Sequence, residues 1–369
     1  NLGLGTGAVD SITTGGYNVG VGDGALTNAT SGARNTAIGW HSLTTNTTGQ
    51  QNVASGMYAL HYNTTGTYNT ASGYQALYDN TTGANNTAVG YQSLYSNTTG
   101  GNTALGYQAA YSNTTGGRLI AIGQSVLYSN TTGSHNVGIG GQFSGINGTL
   151  GVNTTGAYNV AIGSSSLPTN TVGSYNIAIG TLAMYQNTTG TSNIAIGDNT
   201  LRSNTTASYN TATGRSALYS NTTGANNTAS GYSALYANTT GSYNAAFGQN
   251  TLRFNTTASS NTALGSHALY TNSTGTDNTS SGYFSLFANT TGFWNTATGS
   301  NSLRFNTTGS YNTASGYQAL YSNTTGSYNT ASGYQALYDN TTGAENTAVG
   351  GQALANNTSG IRNDAHGYH

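Results

Sequence analysis

The chain is a single seventeen-residue word repeated from end to end. Counted from the Asn of an Asn-Thr-Ala-x-Gly run, units begin at 1, 18, 35, 52, 69, 86, 102, 119, 136, 159 and 176, and then every 17 residues to 363. These 22 units fill the chain: 86–101 is one residue short, 136–158 carries six extra, and the last unit stops early. No segment escapes the repeat, so the domain reading is one continuous array over 1–369. The consensus is N-T-A-x-G-Y-Q-A-L-Y-S-N-T-T-G-S-Y. Position five is Gly in every unit, position one is Asn except at Leu119, and position nine is mostly Leu, with Val9, Ala110, Ser144 and Met184 departing.

Seventeen residues are too few for two helices, and the helix formers Lys, Glu and Arg are nearly missing. Two short strands closed by Gly turns fit the word better. Asn-Thr-Ala-x-Gly is one strand, ending at a glycine that must take an unusual φ or a close approach. Tyr-Gln-Ala-Leu-Tyr-Ser is the second, and Asn-Thr-Thr-Gly is a turn with its Gly placed for the left-handed region. Stacked head to tail, such units form an all-β parallel β-solenoid of about 22 coils, each paired to the next at about 4.8 Å, or roughly 100 Å in all.

Alternation along the second strand puts Gln and Leu on one face and Tyr, Ala and Tyr on the other. With Leu inside, a Tyr-Ala-Tyr stripe lies outside, as in Tyr74/Ala76/Tyr78, Tyr232/Ala234/Tyr236 and Tyr334/Ala336/Tyr338. One Leu and two small residues per coil bury little apolar surface. Either ladder hydrogen bonds carry an unusual share of the stability, or the stripe is covered by another copy; the second is the expectation. Its candidate contacts are Tyr74, Tyr78, Tyr91, Tyr95, Tyr232, Tyr236, Tyr334 and Tyr338. Arg202, Arg253 and Arg304 replace the second Tyr at intervals of three coils, the trace of a longer duplication.

Composition removes several functions. Only 4% of residues are charged, the net charge is −1, and there is no Lys, so no basic surface exists for nucleic acid. No apolar run approaches the ~20 residues of a membrane helix, and no membrane insertion is expected. Zero Cys excludes disulfides and thiolate metal sites. The chain opens on Asn1 with no signal-like segment and reads as part of something longer.

The runs Tyr158-Asn-Val-Ala-Ile-Gly163, Tyr175-Asn-Ile-Ala-Ile-Gly180, Ser192-Asn-Ile-Ala-Ile-Gly197 and Arg34-Asn-Thr-Ala-Ile-Gly39 resemble the head repeats of trimeric autotransporter adhesins. The unit is also similar to repeats of phage and virus fibre proteins. The resemblance implies a left-handed parallel β-roll, three chains side by side, displayed outside the cell to bind surfaces or matrix. It covers about five of the 17 positions, and here the coil is longer and position two is mostly Thr instead of Val.

The remaining motifs are weighed against plainer readings. Asn-x-Thr makes glycosylation acceptors of Asn46, Asn63, Asn80, Asn97, Asn113, Asn130, Asn187, Asn221 and Asn340. Acceptors one coil apart are too crowded for full occupancy, and an Asn/Thr turn hydrogen-bonding in ladders is favoured over a subset of glycans. The paired threonines of that turn are not a flat ice-binding array, because neighbours on a strand face opposite sides. Gly-x-Gly pieces such as Gly20-Val21-Gly22 precede no helix and are no phosphate loop. Asp10, Asp23, Asp79, Asp198, Asp277, Asp339 and Asp364 share no frame for calcium, and His41, His61, His135, His267, His366 and His369 share no repeat position. No enzyme, cofactor or metal is expected. The unit at 136–158 inserts six residues within 140–156, bringing Phe143, Ile146 and Leu150; the insertion reads at the outer turn, as a tolerated loop ahead of a binding loop. The expected function is a non-enzymatic structural fibre, extracellular or on a virion surface, whose partners are copies of itself in a trimer or filament. The alternative is an adhesin-like module that recognises carbohydrate or matrix through the Tyr stripe or the 140–156 loop.

Overall fold

The computed structural model describes residues 1–142, 144–145 and 147–368. The chain divides into two compact units, Asn1–Thr189 and Gly190–His369. Among the described residues there is no helix, and each unit holds eleven three-residue strands: β1 (Leu2–Leu4) to β11 (Ile177–Ile179) in the first, β12 (Ile194–Ile196) to β22 (Asp364–His366) in the second. Within a unit each strand pairs in parallel with its counterpart one coil on, in strict register: Thr70, Ala71 and Ser72 face Thr87, Ala88 and Val89, and Thr296, Ala297 and Thr298 face Thr313, Ala314 and Ser315. Each unit is a parallel β-solenoid, as the repeat implies.

Only positions two to four form a strand, which corrects the expectation of two strands per coil. Positions six to eleven run through successive turns, with left-handed φ at positions seven and nine, for example 53° at Gln75 and 54° at Leu77. The reason lies in the side chains: Ala at position eight and Leu at position nine are both fully buried, as in Ala76 and Leu77 or Ala336 and Leu337. A pleated strand cannot turn two consecutive residues inward. The left-handed residues do so, and each disfavours the fold by about 1–2 kcal/mol. Ala76, Ala234 and Ala336 therefore belong to the core and not to an outer stripe, while Gln at position seven sits half-buried on the outside between the two tyrosines.

The turns keep the ladder. The position-seven N–H donates to position six of the coil before (Gln92 to Tyr74, 2.8 Å), and the position-nine N–H to position eight of the coil after (Leu77 to Ser93, 3.0 Å). Gly at position five meets both demands placed on it. Gly73 has φ +138°, and a Cβ there would lie 2.5 Å from the carbonyl oxygen of Gly90. Gly at position fifteen is not left-handed; it is favoured by a close approach, since a Cβ on Gly83 would sit 2.3 Å from Asn80 Oδ1, although Ala207 and Ala258 take the same place and accept the same ladder bonds.

Much of the core is polar. Asn at positions one and twelve is buried in most coils of both units. At position twelve each Nδ2 donates to the Oδ1 of the preceding coil's Asn and to its own Gly carbonyl, as Asn238 does to Asn221 (2.8 Å) and Gly241 (2.9 Å). At position one the Oδ1 accepts the next coil's backbone N–H (Asn69 to Asn52, 3.0 Å), while Nδ2 reaches the position-fifteen carbonyl (Gly83, 2.8 Å). Leu119 interrupts that ladder by one rung, though its N–H still donates to Asn102 Oδ1 at 2.9 Å. Hydrogen bonds thus fill a space that one Leu and two Ala could not.

Asn238→Ala would leave the Asn221 oxygen, the Gly241 carbonyl and the Asn255 amide each short of a buried partner. The expected cost is about 3 kcal/mol, against less than about 0.5 kcal/mol for exposed Thr240→Ala. Amide hydrogen exchange in the flanking coils reads the difference.

Candidate functional site

The nine proposed glycan acceptors are the position-twelve ladder itself. Asn46, Asn63, Asn80, Asn97, Asn113, Asn130, Asn187, Asn221 and Asn340 are fully buried. Asn63 Nδ2 donates to Asn46 Oδ1 (2.8 Å) and Gly66 O (3.1 Å), and Asn340 Nδ2 to Asn323 Oδ1 (2.9 Å) and Gly343 O (3.0 Å). A sugar on such a nitrogen would displace these bonds and has no room inside a coil, so the folded chain offers no acceptor at these asparagines. The neighbouring threonines complete the turn, the position-thirteen Oγ1 in most coils donating to the next coil's carbonyl (Thr64 to Thr81, 3.0 Å).

The tyrosines form columns on the outside of each unit. At position ten, Tyr78, Tyr95, Tyr111 and Tyr128 stack with ring centroids 5.0–5.2 Å apart and planes within 13°. At position six, Tyr74, Tyr91 and Tyr107 stack at 5.2 Å. Amides fill the strip between, Gln92 Nε2 donating to Gln75 Oε1 (2.8 Å) and Gln108 Nε2 to Gln92 Oε1 (2.9 Å). In the second unit Tyr236 stacks on Tyr219 and Tyr338 on Tyr321, each at 5.0 Å, and Tyr334 lies 5.8 Å from Tyr317. The position-ten rings are half-buried; Tyr91, Tyr232 and Tyr334 at position six are 42–52% exposed.

The three arginines continue the position-ten column instead of breaking it. The guanidinium of Arg253 lies 5.6 Å from the Tyr236 ring centre, and that of Arg304 lies 4.8 Å from Phe284 and 5.9 Å from Tyr321. Arg202 donates to the Tyr219 hydroxyl and packs 5.6 Å from its ring centre. Arg253 and Arg304 are tied down by Asn250 Oδ1 (3.0 Å) and Asn301 Oδ1 (2.9 Å). A flat cation can occupy a rung made for a flat ring.

The inserted coil ends the first unit's longest column. Leu150, not Ser144, takes the buried position-nine place, and its N–H donates to Ser166 O at 3.1 Å. The extra residues therefore lie between Gly140 and Thr149, at the bend after the strand and not at the Asn-Thr-Thr-Gly turn. Phe143 and Ile146 lie outside the described residues, as does His369. Thr149 anchors the segment, accepting from the Gly141 N–H (3.3 Å) and donating to Gly163 O (2.7 Å). Position ten of this coil is Gly151, so no ring follows Tyr128. A cavity of about 390 Å³ opens beside it, lined among others by Gln108, Ser125, Tyr128, Ser129, Gln142 and Asn147.

Among the described residues no group of three or more His, Cys, Asp or Glu could hold a metal ion, and no helix is long and apolar enough to cross a membrane. No protein-family model matches the chain, and no curated protein is significantly similar to it.

Burial in the column, with nearby phenols and Asp79 adding to it, holds the Tyr95 hydroxyl above its ordinary value; burial and Tyr128 do the same at Tyr111. Tyr78 is raised by burial, then by its hydrogen bond to Tyr62. A raised phenol pKa means the folded state holds the proton more tightly, so this contribution is complete below the unfolded value of about 10 and is lost as pH climbs through the folded values. Thermal melts should therefore weaken above about pH 10, with phenolate absorbance of the folded chain rising later than that of the denatured chain. Coincident titration of the two states would remove the argument.

Proposed function

We propose that this chain is a non-enzymatic structural fibre protein, displayed outside a cell or on a virion, and that its tyrosine columns are where copies of the chain meet. The supporting observation is the columns' regularity. Rings 5.0–5.2 Å apart, flanked by a glutamine strip, give a surface whose period equals that of any other stack of the same coils. A second copy can meet it rung for rung, burying the outward ring edges that the stacking leaves half-exposed. A partner with a different period would lose register within a few coils. The resemblance to adhesin heads and fibre repeats agrees with this reading, and the number of chains follows from mass.

Tyr91→Ser/Tyr232→Ser/Tyr334→Ser removes three of the more exposed rings while leaving the buried ladders whole. Sedimentation velocity should show the unaltered chain as an assembly and the triple variant dissociating at lower dilution, with circular dichroism unchanged. An unaltered chain that stays monomeric at high concentration ends the proposal.

A further inference from the structure

We infer that the ring cluster of Phe293, Trp294 and Tyr311, with Asp277 at its edge, binds the trimethylammonium group of a choline-type cation. Here the outer surface departs furthest from its own repeat. Position sixteen is small in most coils, and Phe293 is the one aromatic residue there; Trp294 is the one tryptophan at position seventeen. Neither position belongs to the columns at six and ten. Trp294 is 53% exposed, and Phe293 and Asp277 are exposed beside it.

The rings hold one another in place. Phe293 lies 5.6 Å from Trp294 and 5.3 Å from Tyr311, and Trp294 lies 4.9 Å from Tyr311, the three pairs inclined by 65–74°. Tyr311 is braced in turn by Tyr328, stacked at 4.6 Å. These partners of Trp294 sit in its own coil and the next. Toward the coil before, the Trp294 N–H donates to Thr276 O at 3.1 Å, which sets Asp277 one rung of about 4.8 Å away. A carboxylate therefore stands where a further ring would continue the column. It has no hydrogen-bond or ion-pair partner among the described residues, whereas Glu345 on the same column is paired with Arg362 at 2.8 Å.

An open aromatic face next to an unpaired carboxylate attracts a cation twice, through the ring quadrupole and through its charge. Tryptophan is the strongest of the aromatic partners. A primary ammonium is compact and strongly hydrated, and one exposed carboxylate does not offset the loss of that hydration. A trimethylammonium group spreads its charge over methyls, sheds water more readily and packs its C–H surface on the rings. An anion would be repelled by Asp277, and a neutral ligand would leave that charge unused.

Saturation-transfer NMR on the full chain tests this with choline. Saturation should reach the N-methyl protons, with a Kd in the millimolar range that suits one shallow site. The neutral isostere, with carbon in place of nitrogen, and ethanolamine should each bind on the order of ten-fold more weakly. Phosphocholine should also bind more weakly, because its phosphate would stand near Asp277. Trp294→Ala should abolish transfer, and Trp294→Phe should keep part of it. Asp277→Asn should weaken binding about three-fold. Circular dichroism should stay unchanged, since both altered side chains are exposed. No transfer to choline, equal binding of the isostere or of ethanolamine, transfer that survives Trp294→Ala, full affinity in Asp277→Asn, or preference for phosphocholine overturns the inference. None of these outcomes touches chain association, which the triple tyrosine variant reads separately.

Discussion

The structure depends on one repeated bond: a buried asparagine amide passing a hydrogen bond to the same asparagine one coil away. Two such ladders, at positions one and twelve, converge on the carbonyl of the position-fifteen glycine. Nδ2 of Asn69 and of Asn80 both reach Gly83 O, at 2.8 and 3.0 Å. Left unpaired in the core, either amide would be strongly destabilising. Satisfied in nearly every coil, they enforce the register that the three-residue strands are too short to hold alone. That accounts for the rigid repeat length. A residue gained inside the ladder segment would pull an amide out of line, whereas the six-residue insertion falls between Gly140 and Thr149, where no asparagine ladder passes.

The rest of the coil follows from closing a loop around those amides. Ala and Leu enter side by side at positions eight and nine because the backbone turns left-handed at seven and nine, and the same device at position seventeen leaves a side chain in solvent. The tolerance of that last position is then understandable. Tyr17, Arg34, Gln51, Trp294 and Glu345 all sit there with φ between 53° and 64° and need only accept the conformation. Outside, the position-ten columns are built of flat groups, which Tyr, Phe287 and Arg253 all supply, and they are interrupted where Asp10, Thr27, Thr44, Gly151, Pro168 or Ala355 stands there.

Much of this was legible in the letters. Seventeen-residue periodicity implies parallel stacking, the unvarying Gly at position five implies both strained φ and close approach, and Leu implies the interior. The second strand misled because Tyr-Gln-Ala-Leu-Tyr carries strand-like residues, yet its two inward neighbours contradict alternation. The asparagines were half legible: their surroundings spell a glycan acceptor, but the favoured reading was a turn bonding in ladders, which differs from the structure in not placing position twelve in the core. The available signal was constancy: position twelve is Asn in every complete coil after Ile12 and Ala29, firmer than Leu at position nine, and solvent-facing turns rarely need that. The cavity at Tyr128 was legible only as an inserted segment within 140–156, not as a cavity. It arises from where Gly151 falls once Leu150 has claimed the interior, which only three-dimensional register decides.

The asparagine ladders also carry an arrow. Asn63 donates to Asn46, Asn80 to Asn63 and Asn255 to Asn238, always from the later coil to the earlier. Each coil that carries the asparagine therefore shows an amide oxygen toward its successor and amide hydrogens toward its predecessor, and the amide dipoles align within each unit. An incoming coil in the opposite sense would set oxygen against oxygen at two buried places. Head-to-tail continuation is thus written into the interior, and a mirrored junction is refused before any surface contact can form.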